Sequence, residues 1–327
     1  VTLLDAYLGE LFADAALHVC RAAGVDPEAV DAIGSHGQTL YHHHRVESMP
    51  GHAVHGTRQI GSAAVIAERT GITTVSDFRS RDMAGGGQGA PLVPYLDYVL
   101  YHHRSRGRIA LNVGGVANVT AIPAGAPPER VSAFDTGPGN CLIDAAVSHF
   151  TGGKASFDAG GAMALAGKPD EGVIQAMLEH PYLRQQPPKT LDKEAFGRAY
   201  LKEFLAANPG LSGNYAVSTL TAFTVRSVAA AILEHLAQKE RYEELIVSGG
   251  GARNPAIVSQ LEKALPHLLV TPADDYGIPG KAKEAVLMAF LAQETLLGRP
   301  GNLPSATGAK GPAVLGAITP GRRFFEE

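Results

Sequence analysis

Cysteine is scarce in this sequence. Cys20 and Cys141 are the only two. Each sits in an apolar segment without metal-ligand spacing, so a disulfide framework is excluded and buried thiols in a reducing compartment are expected. Positive charge is not in excess either. Lys and Arg total 28 against 32 Asp and Glu, a formal net charge of -4. That balance argues against a polybasic surface for nucleic acid or an anionic membrane. No apolar run is expected to span a bilayer, and no signal peptide is visible. A cytoplasmic location is the resulting expectation. What is present is ordinary for a globular chain: 45% apolar and 18% charged over 327 residues, enough for two domains with cores of their own.

Glycine is the unusual component, with 38 residues. The glycines cluster near the ends of β-prone runs, as ligand-hugging turns require. One such place is Val131-Ser-Ala-Phe-Asp-Thr-Gly-Pro-Gly-Asn140. A strand delivers Asp135 to its carboxyl end, a turn follows from Gly137 to Asn140, and a helix runs from Cys141 to Phe150. The N–H groups of such a turn can face an anion, and the acid can take a proton. An Asx turn that caps the helix is the plain alternative.

Along the chain, apolar spacing predicts an amphipathic helix over residues 3–23. Val30 to Ile33 reads as a buried strand that offers Ser35, His36 and Gln38 at its end, where α/β proteins place site residues. His42, His43, His44, His52 and His55 are spaced too irregularly for a metal site and read as a solvated hairpin or excursion. A helix follows over residues 62–69, then a strand over 72–79 that ends in Asp77 and Arg79. The loop from Ser80 to Pro91 carries Arg81, Asp82 and Gln88. Its glycines nominally fit a dinucleotide fingerprint, but a charged run precedes them and Pro91 follows, so the required strand-to-helix context is absent. Directed donors and acceptors there suit a polyhydroxylated ligand better.

After a helix over 92–101 and a polar linker over 102–107, strands are expected at 109–113, 116–122 and 131–134. The glycine pair Gly114-Gly115 joins the first two as a hairpin. Residues 151–216 read as mixed helix, and 218–237 as a long apolar helix. Leu245 to Ser248 is a strand followed by Gly249, Gly250 and Gly251. Asn254 and Pro255 then cap a helix. A strand at 268–271, a helix over 281–297 and a tail without long periodic elements complete the chain.

The second module thus reads β-β-β-α and then β-α-β-α. The first, α-β-α-β-α, is the same pattern without its opening strands. The expected class is α/β: two ribonuclease-H-like (actin-like ATPase) domains flanking a cleft, the first missing those strands. The first takes residues 1–106 with the tail 298–327, and the second takes 107–297.

At this point a family resemblance becomes specific. Gly34-Ser-His-Gly-Gln38, Gln59-Ile-Gly61, Asp77-Phe-Arg79 with Arg81-Asp82, and Gly86-Gly-Gln-Gly-Ala-Pro-Leu92 occur in order. So do Leu111-Asn-Val-Gly-Gly-Val-Ala-Asn118, Phe134-Asp-Thr-Gly-Pro-Gly-Asn140, Ser248-Gly-Gly-Gly-Ala-Arg-Asn254 and Pro300-Gly-Asn-Leu-Pro304. Together they resemble the anhydro-N-acetylmuramic acid kinases, cytoplasmic bacterial enzymes of peptidoglycan recycling. The resemblance implies ATP and Mg²⁺ as cofactors, an amino sugar as substrate and a homodimer. It also implies a reaction in which water opens the anhydro bridge of 1,6-anhydro-N-acetylmuramic acid while O6 takes the γ-phosphoryl group. The family's opening strand and Gly-Thr-Ser-x-Asp-Gly hairpin are not found before Val1.

Carried onto this chain, the resemblance implies that Asp135 is the general base and that Glu284 helps orient water or sugar. Gly114, Gly115, Asn118, Gly137, Gly249, Gly250, Gly251 and Asn254 would contact the nucleotide. His36, Gln38, Arg79, Arg81 and Asp82 would line the sugar side, an Arg pairing with the lactyl carboxylate. No metal ligand is assigned. Two other readings remain: a non-catalytic sugar-binding remnant, and a related kinase for another sugar.

Overall fold

The structure, a computed structural model, describes residues 1–191 and 193–324, apart from the side chains of residues 44, 193 and 194. The third member of the histidine run, His44, therefore has its side chain outside the described residues. The chain is mixed α/β and divides into two compact units, Val1–Leu96 with Ala282–Glu327, and Asp97–Lys281.

The first unit opens with α1 (Thr2–Ala23). It stops where Gly24 turns left-handed (φ 65°) and returns its N–H to the carbonyl of Arg21. Glycine takes that conformation without a Cβ clash. Gly9 lets α1 lie against the start of α2 (Ala63–Thr70), where a Cβ would come within 2.9 Å of Ser62 O. The expected amphipathic face is largely uncovered: Leu3, Leu4, Tyr7 and Leu11 are exposed, and the buried positions are Gly9, Ala13 and Cys20. Short strand β1 (Ile33–Ser35) precedes the hairpin β2 (Gln38–Met49) and β3 (His52–Ile60). That excursion is a two-stranded antiparallel ribbon with two register irregularities.

Strand β4 (Thr74–Ser76) pairs in parallel with β1. It is shorter than expected because Asp77 takes a left-handed φ of 56° and leaves the ladder. The Asp77 carboxylate accepts the Ser80 hydroxyl at 2.6 Å and so starts α3 (Ser80–Ala84), a helical turn where a loop was expected.

The chain passes between units inside α4 (Val93–Tyr101), ahead of the predicted linker. The second unit is built on a sheet in the order β7-β6-β5-β8-β9. Its strands are β5 (Arg108–Val113), β6 (Val116–Ile122) and β7 (Ser132–Pro138), then β8 (Glu244–Ser248) and β9 (Leu269–Pro272). β5, β6 and β7 are antiparallel neighbours, while β8 and β9 run parallel to β5. Between β7 and β8 come α5 (Cys141–Phe150), α6 (Ala162–Ala166), α7 (Glu171–Leu178), α8 (Arg198–Ala207) and α9 (Gly213–His235), and α10 (Pro255–Ala264) follows β8.

Helix α9 corrects the expectation about apolar runs, since its length and composition would suffice to cross a bilayer. Here it is the core helix of its unit, with Val217, Leu220, Phe223 and Ile232 wholly buried and α5, α6, α7 and α10 packed around it. A helix apolar on every side is what a buried one looks like. Ile109 and Leu111 of β5 are also fully buried, and each such side chain contributes about 1.5–3 kcal/mol relative to exposure.

The chain then returns to the first unit. Helix α11 (Lys283–Leu296), expected in the second domain, packs on β1 and β4. Gly34 makes this possible, because a Cβ there would strike the carbonyl of Met288. After α12 (Pro304–Thr307), β10 (Ala317–Thr319) adds an antiparallel edge to β4. Three residues are too few for alternation to register in sequence, so the tail looked featureless.

Candidate functional site

In the second unit, three chain reversals converge at one end of the sheet. The β5–β6 turn at Gly114-Gly115 receives backbone donors from the exit of β7: Asn140 N–H to Gly114 O at 2.7 Å and Gly139 N–H to Gly115 O at 2.9 Å. The Asn140 side chain donates to Val113 O at 2.9 Å. Gly249 (φ 81°) and Gly251 bring the exit of β8 against the same strand, since Cβ atoms there would meet Val113. Gly115 differs from these glycines. Its φ is not left-handed, and a Cβ would meet nothing within 4 Å. Neither backbone strain nor packing requires glycine at that position.

The strand register places Asn112 opposite Asn118, Asn118 opposite Asp135, and Asn112 beside Ser248. Paired residues share a face, so Asp135, Asn118, Asn112 and Ser248 form one polar row across four neighbouring strands. Sequence reasoning named Asp135 and Asn118 but did not name Asn112 or Ser248 as site residues. Their signal was present: both are polar interruptions in buried strands, one residue from the fully buried Leu111 and one from Val247.

Asp135 is partly buried. Its Oδ2 accepts the Leu191 N–H at 2.8 Å. Burial pushes its pKa up, and the Leu191 N–H opposes that shift by favouring the charged form. Nearby on α5, Asp144 is pushed up to about 6 by burial and by the Asp158 carboxylate. Asp158 itself accepts the N–H groups of Met163 and Ala164 at 2.9 and 3.0 Å, holding the start of α6.

Two expected contact residues have internal roles instead. Gly137 lies within β7, not in a turn, and is buried against α9, where a Cβ would come within 2.9 Å of Ser227 Oγ. Asn254 is 7% exposed, and its Oδ1 caps α10 by accepting the Ala256 N–H at 3.0 Å.

In the first unit, the Arg79 Nε–H donates to His36 Nε2 at 2.9 Å, and Arg79 Nη1 donates to Gly89 O at 2.7 Å. His36 Nδ1 lies 2.8 Å from Gly37 O. A carbonyl only accepts and Arg only donates, so the imidazole is neutral with its proton on Nδ1. Burial first, then the Arg79 charge, holds its pKa down. Glu284, exposed on the first turn of α11, acts electrostatically on both Arg79 and His36. The structure thus brings His36, Arg79 and Glu284 together.

Asp82 stands apart from that group. It is 0% exposed, and both its oxygens are occupied. Oδ2 accepts the Gly89 N–H at 2.8 Å, while Oδ1 accepts Asn302 Nδ2 at 2.6 Å and the Thr307 hydroxyl at 2.7 Å. This carboxylate ties the glycine loop to the C-terminal segment, so it is structural and cannot line a ligand surface. Arg81 and Gln38 are exposed. A polar cavity of about 250 Å³ is lined by Asp5, His36, Arg58, Gln59, Asp77 and Ser80, among others. Among the described residues, no group of three or more His, Cys, Asp or Glu side chains is placed to hold a metal ion.

Comparison with known proteins bears on these features. Similar solved structures include a ROK family glucokinase from Streptomyces griseus in complex with glucose and AMPPNP. It has 15% identity and a TM-score of 0.36, over 87% of this chain and 88% of that one. Another is the activator of the 2-hydroxyisocaproyl-CoA dehydratase from Clostridium difficile with bound ADPNP. It has 11% identity and a TM-score of 0.35, over 68% and 69% of the two chains. The anhydro-N-acetylmuramic acid kinase of Caldanaerobacter subterraneus is 44% identical over 95% of this chain and 79% of its own length. That of Streptomyces coelicolor is 45% identical over 98% and 78%. The family profile described as anhydro-N-acetylmuramic acid kinase matches residues 1–321. This chain therefore belongs to the anhydro-N-acetylmuramic acid kinase family.

Proposed function

We propose that this protein uses ATP to convert 1,6-anhydro-N-acetylmuramic acid to N-acetylmuramic acid 6-phosphate, with Asp135 as general base. Family membership supports the substrate and the reaction. The observation that carries the assignment of residues is the polar row headed by Asp135, beside the uncovered glycine at 115. The order β7-β6-β5-β8-β9, antiparallel and then parallel, supports a ribonuclease-H-like assignment for the second unit.

In the reaction, water attacks the anomeric carbon and Asp135 takes its proton. The bond from that carbon to O6 breaks, and O6 attacks the γ-phosphorus as ADP leaves. Burial keeps the carboxylate of Asp135 more basic than an exposed one, while the Leu191 N–H keeps it aimed. The peptide N–H groups around Gly114, Gly115 and Gly249–Gly251 are suited to phosphates, which favour surfaces of bare backbone. Asn118 and Asn112 supply directed side-chain donors in the same row. Mg²⁺, when bound, would be held mainly by the phosphates and water, since among the described residues no carboxylate cluster is placed to hold it, and it would supply charge neutralisation at the transferring phosphoryl group. Arg79, with Nε and Nη1 already committed, offers Nη2 to the lactyl carboxylate of the sugar, and His36 and Glu284 hold it there.

The test is a coupled ADP-release assay with the anhydro sugar, run on the protein and on Asp135→Asn. Sugar-dependent turnover that vanishes in the variant, with the thermal midpoint retained, supports the reading. Undiminished turnover in the variant removes Asp135 from its role.

A further inference from the structure

The free edge of β7 at Asp135 is closed by a segment outside the regular sheet. Asp135 N–H donates to Lys189 O at 3.0 Å, and the Leu191 N–H returns to the Asp135 carboxylate at 2.8 Å. The Tyr182 hydroxyl donates to the Asp135 backbone carbonyl at 2.9 Å. Three contacts from one segment thus hold both the backbone and the side chain of this residue.

Lys189 joins the two ends of that segment. It is only 7% exposed, unusual for lysine. Its ammonium donates to Leu183 O at 3.1 Å and Tyr182 O at 3.5 Å, and lies 5.1 Å from the centre of the Tyr182 ring. Its backbone carbonyl meanwhile serves Asp135. The mechanism above uses neither Lys189 nor Tyr182, and a buried cation is costly unless its donors are satisfied.

We infer that Lys189 is a positioning residue, which locks the 182–191 segment so that Leu191 N–H holds the Asp135 carboxylate, and Tyr182 O–H its backbone carbonyl, for proton transfer. The inference rests on Asp135 being the base. The titratable groups around the clamp are Tyr182 and Lys189 on the segment, and Glu234 and His235 on α9. Burial pushes the Lys189 ammonium down, against the attraction of Glu234, and burial pushes the Tyr182 hydroxyl up. Removing the ammonium frees the segment, and the Leu191 N–H then no longer stabilises the charged carboxylate.

The experiment follows Asp135 in two ways, by the pH profile of kcat/KM and by carbon-13 NMR titration of its carboxyl. The unsubstituted protein is compared with Lys189→Met and Tyr182→Phe. In Lys189→Met, kcat is expected to fall by roughly 10- to 100-fold, as for a misplaced catalytic group, with KM for the sugar little changed. The acid limb and the carboxyl titration both move to higher pH, by about one unit. Tyr182→Phe shifts both in the same direction by less. If Lys189→Met does not fold, Tyr182→Phe carries the test, and an unmoved carboxyl titration there overturns the proposal. A Lys189→Met protein that is less stable but titrates like the wild type also overturns it. Should Asp135→Asn keep its turnover, the base assignment fails, while the NMR titration still decides whether the clamp governs this carboxyl.

Discussion

Residues 85–89 and the turn at Gly114-Gly115 are both glycine-rich, the first following the short helix α3 and the second the strand β5. Their missing side chains face different surroundings. A Cβ on Gly87 would run into the Asp82 carboxylate, and one on Gly89 would meet the Met83 side chain at 2.8 Å. Those glycines exist so that the loop can wrap a buried acid. A Cβ on Gly115 would meet open space, without a left-handed φ to forbid it. The two acids near these loops differ in the same sense. Asp82 is sealed and has its oxygens satisfied from within, whereas Asp135 is partly accessible and, among the described residues, its carboxylate accepts one hydrogen bond, from Leu191 N–H. Glycine and carboxylate together do not identify a site. What matters is whether the fold already uses them.

This contrast can be broken most directly at the acids. Asp135→Asn is expected to lower turnover by about 10²–10⁴-fold and to leave the denaturation midpoint nearly unchanged. Asp82→Ala should do the reverse. It leaves Gly89 N–H, Asn302 and Thr307 without their acceptor, and chemical denaturation should show a loss of about 3 kcal/mol or more. A stable Asp82→Ala protein would show that the loop has other anchors.

The glycines sharpen the comparison. Gly87→Ala should destabilise by about 1–3 kcal/mol through overpacking. Gly115→Ala should stay within about 0.5 kcal/mol of wild type in stability yet raise the KM for ATP by roughly tenfold. An unchanged KM would mean that the phosphates do not approach this turn.

The smallest effect concerns Asp144, whose folded-state pKa of about 6 lies above its ordinary value of 3.8. A carboxyl with a raised pKa binds more protons folded than unfolded, so its contribution to stability declines as pH rises through that window. Asp144→Asn should flatten the dependence of stability on pH between these two values and be more stable than wild type at pH 7. Parallel denaturation curves for the two proteins would argue against the burial of this acid.

Much of the second unit was legible from residue order alone. The runs Ile109–Val113 and Val116–Ile122, the glycine pair between them, and the Asn254-Pro255 helix start carry strong local signals, and they form the elements they predict. The first unit was less legible. β1, β4 and β10 are three residues each, too short for periodicity. The apolar residues of α1 are repeated at helical spacing but stay largely exposed, so period predicted the helix and not its burial. Of the expected site residues, the sugar-side His36 and Arg79 come together with Glu284, expected beside Asp135 in catalysis, although some 250 positions separate the first from the last in sequence. The capping role of Asn254 is local and readable from the Asn-Pro pair, whereas the internal roles of Asp82 and Gly137 were not, because Asn302, Thr307 and Ser227 are distant in the chain.

The amino-acid sequence by itself determined the strand and helix content of the second unit, the acid at the end of the third strand and the family. These depend on local propensity, short-range spacing and motif order. Tertiary structure alone decided which polar groups are available. Cross-strand register put Asn112 and Ser248 in line with Asp135. Long-range hydrogen bonds withdrew Asp82 into the interior, and the contacts of Lys189 and Tyr182 closed the edge of β7 at the catalytic candidate. A side chain's availability depends on the neighbours that the whole fold supplies, and those neighbours are set by packing across distances that local sequence does not encode.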